Sequence, residues 1–162
     1  MTGLNLAQKA LVRRRLKRAA LLGVSKRQRI HYTQGAKRWF YINQKIRAYK
    51  GEVPSYADCS AYVTGLYWDA CLRYIRSGKI RRDFINGADW KAGYTGTQIR
   101  HGQRIHGTRK VGDLVFYAGT NGVINHVAIY VGSGKVVSFG SDPGPLLLPV
   151  NYRVVAQTRR YL

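Results

Sequence analysis

The chain has 162 residues, with 28 Lys+Arg against 7 Asp+Glu and a formal net charge of +21. That length favours one domain, and 45% hydrophobic with 12% aromatic residues is enough for a core, which excludes disorder of the whole chain. No apolar run approaches the roughly 18–20 residues that span a bilayer; the stretch from Pro145 to Val150 is only strand-length. The charge points to polyanionic partners (nucleic acid, anionic lipid or anionic cell-wall polymer) without choosing among them.

The first 30 residues hold nine Lys/Arg and no acid. They contain no proline and are rich in Ala and Leu, so a helix is expected over about Leu4 to Leu22, with Gly23 as its stop. Leu4, Ala7, Leu11 and Leu16 give it a partial apolar stripe. Two readings follow. It is a solvated basic helix packed by its apolar edge, or an electrostatic anchor on a polyanion or membrane surface through residues 4–29. No apolar h-region follows the basic cluster, so a secretory signal peptide is not expected. The chain thus divides into a basic arm, 1–28, and a main domain, 29–162.

A second helix should begin near Cys59, with Asp58 or Ser60 as its cap, and end at Gly78. Tyr62, Val63, Leu66, Tyr67, Ala70 and Tyr74 supply its apolar face. Residues 87–112 read as mostly loop with short elements. Strands then dominate: 113–117, 126–131 and 135–139, separated by turns at Asn121-Gly122 and Gly132-Ser133-Gly134. Asp142-Pro143-Gly144-Pro145 breaks the chain, and 151–157 reads as a last strand. A helix followed by antiparallel strands is an α+β pattern.

Two cysteines are present. Cys59 and Cys71 on one helix lie about 18 Å apart, too far for a disulfide. Two cysteines also match no structural zinc pattern, so neither a metal nor a cofactor is expected. Cys59 stands at a helix N-terminus, where free N–H groups and the dipole lower a thiol pKa from about 8.5. Cys71, mid-helix, belongs to the core. A thiol nucleophile needs a base. Of the four histidines, His101 and His106 fall in a loop-rich segment, His31 lies near the end of the basic region, and His126 opens a strand after a turn.

Asp58-Cys59-Ser60-Ala61-Tyr62-Val63 resembles the DCSG(L/F)V nucleophile motif of NlpC/P60 cysteine peptidases. Gly112-Asp113-Leu114-Val115-Phe116-Tyr117 is similar to their GDLVFF strand, and the segment from His126 to Val137 to their HVGIYxGxGxxI segment. The three motifs occur in the family's order. The resemblance covers about His31 to Pro145. It implies a papain-like α+β fold, with the nucleophile helix packed on a small antiparallel sheet; the basic N-terminal helix is extra. It also implies hydrolysis of peptide bonds in peptidoglycan stem peptides. Carried over by motif, Cys59 is the nucleophile and His126 the base. Ser138 stands at the third polar position, where the family usually has His. Tyr32, in a segment resembling (P)YxxGG, would place a hydroxyl near the oxyanion or substrate amine. Asp58 and Ser60 match positions that hold the free amine of the stem peptide.

Gly93–Thr97, His101-Gly102 and Val137–Pro145 resemble the peptidase domains of actinobacteriophage endolysins. Such a lysin is phage-encoded, is made in the host cytoplasm and acts at the bacterial wall. Its expected partners are peptidoglycan and anionic wall polymers. The alternative is an inactive member of the same fold, serving as a wall-binding or virion structural protein. No zinc finger or RNP motif supports specific nucleic-acid binding.

Overall fold

In the computed structural model, which describes residues 2–81, 83–87 and 89–162, the basic segment forms helix α1, Leu6–Ser25. Asn5 caps it: its side chain accepts the Gln8 N–H, and the Gln8 side chain accepts the Asn5 N–H. Gly23 does not end the helix as expected. It is buried against the Tyr62 hydroxyl so closely that any Cβ would overlap it, so this glycine serves close packing. Val12, Leu16, Ala19 and Ala20 are buried, while Arg14, Arg15, Lys17 and Arg18 face solvent. The helix thus packs by its apolar edge, as the first of the two readings has it.

Helix α2 is a single turn, Phe40–Asn43. Helix α3, Cys59–Arg76, is the central element and is capped by Asp58. It buries Tyr62, Val63, Leu66, Tyr67, Ala70, Cys71 and Tyr74 between α1, α2 and the sheet. Tyr41 of α2 lies directly on Gly65, a position with no room for a side chain. Helix α4, Thr95–Gln98, is the other short element.

Strands β1 (His31–Tyr32) and β2 (Tyr56–Ala57) form a two-residue parallel pair. The main sheet is antiparallel and six-stranded, ordered β3-β8-β4-β5-β6-β7. Its strands are β3 (Gln103–Ile105), β4 (Leu114–Ala118), β5 (Ile124–Gly132), β6 (Lys135–Ser138), β7 (Leu146–Pro149) and β8 (Val155–Arg160). Alternation sorts the side chains: Leu114, Phe116, Val127 and Ile129 join the helix-side core, while Val115, Tyr117, Ala128 and Val136 form a second cluster on the other face.

Two strand expectations need correction. The last strand starts later than 151, because Asn151–Arg153 turn, with the Tyr152 N–H on the Pro149 carbonyl. The segment after the Pro-Gly break is not only a break but also holds edge strand β7, where proline is tolerated. The β1–β2 pair is too short to show any period.

Asp113 ties the ends of the chain together. Arg160 donates to both its oxygens, at 2.9 and 2.7 Å, and the Lys110 N–H donates at 2.8 Å. Arg13 of α1 lies 4.0 Å away and donates to the carbonyls of Val111 and Leu162.

Candidate active site

The β1–β2 pairing sets Tyr32 opposite Ala57 and delivers the chain to Asp58 at the start of α3. Asp58 Oδ1 accepts the Ala61 N–H at 2.8 Å and the Ser60 hydroxyl at 3.0 Å. Its Oδ2 accepts Arg38 Nη1 at 2.9 Å. Asp58 is therefore both the helix cap and half of an ion pair, and the Ser60 hydroxyl is turned onto it. An ammonium group approaching Asp58 has to share this carboxylate with Arg38.

Cys59 is the first helical residue, and its side chain is buried. The backbone N–H groups of Val127, Ser60 and Cys59 itself favour its thiolate, as a helix terminus should. Burial outweighs them, with the Asp58 charge adding to it, and the thiol is pushed up to about 11. The lowered pKa expected from helix position alone is thus reversed, because desolvation costs the anion more than the local dipoles return.

His126 lies on β5 beside Val127, whose backbone N–H favours the Cys59 thiolate. Burial lowers its pKa to about 4, helped by the Arg153 charge and opposed by Asp58. At neutral pH the imidazole is uncharged and able to accept a proton. Its Nε2 lies 2.7 Å from Ser138 Oγ on β6, so Nδ1 is the nitrogen left for a thiol proton. Ser138 Oγ also lies 2.9 Å from the Tyr152 hydroxyl. The adjacent Phe139 has a packing role: its ring meets the edges of Tyr32 and Tyr62. The Tyr32 hydroxyl accepts from Gln34 at 3.3 Å, and burial raises its pKa, opposed by that hydrogen bond and assisted less strongly by Cys59 and Asp58.

The structure thus gathers Cys59, His126, Ser138, Tyr32, Asp58 and Ser60 around the α3 N-terminus. Sequence reading missed Arg38, Tyr152, Arg153 and Gln98. The buried Gln98 amide donates to the Ser60 carbonyl at 3.0 Å and to Thr64 Oγ1 at 2.9 Å, which fixes the first turn of α3 from behind. Nothing in its loop-rich neighbourhood marks it. His31 pairs with Asp142 at 3.1 Å, and His101 packs on Gly87. Among the described residues, no group of three His, Cys, Asp or Glu side chains could hold a metal ion.

The family model for NlpC/P60 matches residues 47–143, more than half of the chain and including Cys59, His126 and Ser138. No curated protein matches the chain. Among solved structures, the peptidoglycan hydrolase RipB of Mycobacterium tuberculosis is similar over 98% of this chain and 69% of its own, at 19% identity and a TM-score of 0.61. The NlpC/p60 domain of the peptidoglycan hydrolase SagA is similar over 89% of this chain and 97% of its own, at 21% identity and a TM-score of 0.54. NlpC2 of Trichomonas vaginalis is similar over 90% of this chain at 21% identity and a TM-score of 0.52. The chain spans only 46% of that protein's length. These likenesses establish a shared fold, with helices packed on a six-stranded antiparallel sheet. With the family match across the nucleophile and histidine segments, the chain belongs to the NlpC/P60 family.

Proposed function

We propose that the chain is a cysteine peptidase that hydrolyses peptide bonds in peptidoglycan stem peptides. One observation carries the reading: Nε2 of the buried, neutral His126 is 2.7 Å from Ser138 Oγ, which leaves Nδ1 as the base, and the next residue, Val127, favours the Cys59 thiolate through its backbone N–H. In the reaction, Cys59 gives its proton to His126 Nδ1 as the sulfur attacks the scissile carbonyl carbon. The Cys59 backbone N–H stabilises the oxyanion. The imidazolium returns that proton to the leaving amine, and a thioester remains. Water, activated by the same imidazole, releases the acid and restores the thiol. Asp58 and Ser60 hold the free amine of the stem peptide, an ammonium on a carboxylate. Tyr32 offers a hydroxyl to the oxyanion or that amine.

Cys59→Ala should retain the folded structure and wall binding while losing wall lysis altogether. Lysis by that variant at the wild-type rate would defeat the proposal.

The finer assignment is a phage endolysin, made in the host cytoplasm and acting at the wall. Its support is the resemblance of Gly93–Thr97, His101-Gly102 and Val137–Pro145 to actinobacteriophage lysins. Cells producing the protein internally should stay intact until their membrane is permeabilised. Lysis without permeabilisation would count against the assignment.

One observation favours the second reading, an inactive wall-binding or virion structural domain: the buried thiol is held at about 11. Alkylation separates the two. An active site labels Cys59 faster than Cys71, because His126 can take the thiol proton. Equal, slow labelling of both fits the inactive domain.

A further inference from the structure

Ser138 is an uncharged occupant of the position that must orient His126, and its hydroxyl has a proton of its own to place. Among the described residues, Ser138 Oγ has two hydrogen-bonding contacts, His126 Nε2 at 2.7 Å and the Tyr152 hydroxyl at 2.9 Å. It is buried, at 5% exposure, so solvent offers its proton little alternative. The consequences for the base are opposite in the two arrangements. If the Ser138 proton points to Tyr152, Ser138 accepts the Nε2–H of His126, and Nδ1 keeps its lone pair for the thiol. If it points to Nε2, the ring proton moves to Nδ1, and the imidazole cannot act as a base there.

The fold holds Tyr152 in place to accept that proton. Its N–H bonds the Pro149 carbonyl, and the Val150 N–H bonds the Gly134 carbonyl at 2.8 Å, which fixes the turn after β7 against the β5–β6 turn. Its ring lies 5.1 Å from that of Tyr117, centre to centre, and the Tyr117 hydroxyl donates to the Val150 carbonyl at 2.7 Å. Arg153, next in sequence, donates to the Ala118 carbonyl at 3.0 Å and to Asn125 at 2.8 Å. Tyr152 is itself 36% exposed, so its own proton can go to water.

We propose that Tyr152 is a positioning residue that acts through Ser138: by accepting the Ser138 hydroxyl proton, it holds His126 in the Nε2–H tautomer. This inference rests on the peptidase reading of Cys59 and His126, but its central readout does not require activity.

The experiment compares wild type with Tyr152→Phe, which keeps the ring on Tyr117, and checks both by melting curve. Long-range 1H–15N correlation at neutral pH reads the His126 tautomer. Wild type should show a protonated Nε2 and an unprotonated Nδ1. Tyr152→Phe should show a substantial Nδ1–H population and about tenfold lower kcat with KM little changed, a loss the size of one hydrogen bond. In a Ser138→Ala background the same substitution should have no further effect on kcat. An unchanged tautomer in a folded Tyr152→Phe protein overturns the inference, as does a full tenfold loss that persists without Ser138. If no substrate is turned over by wild type, the peptidase reading fails, while the tautomer comparison still decides the role of Tyr152.

Discussion

Cys59 and His126 form a site whose protons rest in neutral form, with the thiol near 11 and the imidazole near 4. In the proposed reaction the productive pair carries one shared proton. It is overprotonated below the imidazole value and lacks the acid for the leaving amine above the thiol value. A plot of kcat/KM against pH should therefore rise near pH 4, stay level through neutrality and fall only in strong base. An acid limb near 6.5 would contradict the neutral pair. The same shift bears on stability. His126 has a lower pKa folded than unfolded, so its contribution is complete above about pH 6.5 and is lost as pH falls towards 4. The melting temperature of wild type should drop across that window by more than that of His126→Gln. The placement of Cys59 at the α3 N-terminus and of His126 and Ser138 on neighbouring strands was legible because each sits in a short contiguous motif. The thiol pKa was not, because it depends on burial by distant strands. Arg38 and Tyr152 were hidden for a related reason: each reaches its partner, Asp58 or Ser138, only after the chain has folded back.

Among the elements, α3 was legible almost residue for residue, since its cap and its apolar period agree. Strands β4, β5 and β6 were legible through their glycine turns. Edge strand β7 was obscured by prolines, and α1 was cut short because Gly23 looked like a stop. That error has a physical reading: a glycine inside a helix can mark close approach of a neighbour. Gly65 in α3 makes the point testable, because Tyr41 occupies the space of its missing side chain. Gly65→Ala should destabilise the protein by about 1–3 kcal/mol in chemical denaturation, the usual cost of overpacking. Asp113 lies in the GDLVFY segment and is completely buried among Arg160, Arg13 and the Lys110 N–H. Removing one partner of a buried ion pair strands the other, so Asp113→Ala should cost about 3–5 kcal/mol. A loss below 1 kcal/mol would show that the ends of the chain are held by other contacts.

At the scale of the molecule, the charge of +21 divides into a packed part and an exposed part. The first 30 residues hold nine of the basic side chains. Helix α1 that carries most of them contributes Val12, Leu16, Ala19 and Ala20 to the core and anchors Arg13 beside Asp113. Deleting residues 1–25 should therefore abolish cooperative unfolding. Replacing Arg14, Lys17 and Arg18 by Gln should leave the melting temperature within about 2 °C and weaken binding to isolated cell wall at moderate salt, since exposed charges act at long range and are screened. Equal wall binding by this variant would assign retention to another surface. In the proposed peptidase the field would serve retention and encounter, while the chemistry would rest with Cys59. The most direct test is mass spectrometry of purified peptidoglycan incubated with wild type and with Cys59→Ala. Wild type should release fragments carrying a new carboxyl and a new amine at one stem-peptide bond, and Cys59→Ala should release none. An uncut digest with folded wild type, or identical fragments from both proteins, would contradict a peptidase built on Cys59.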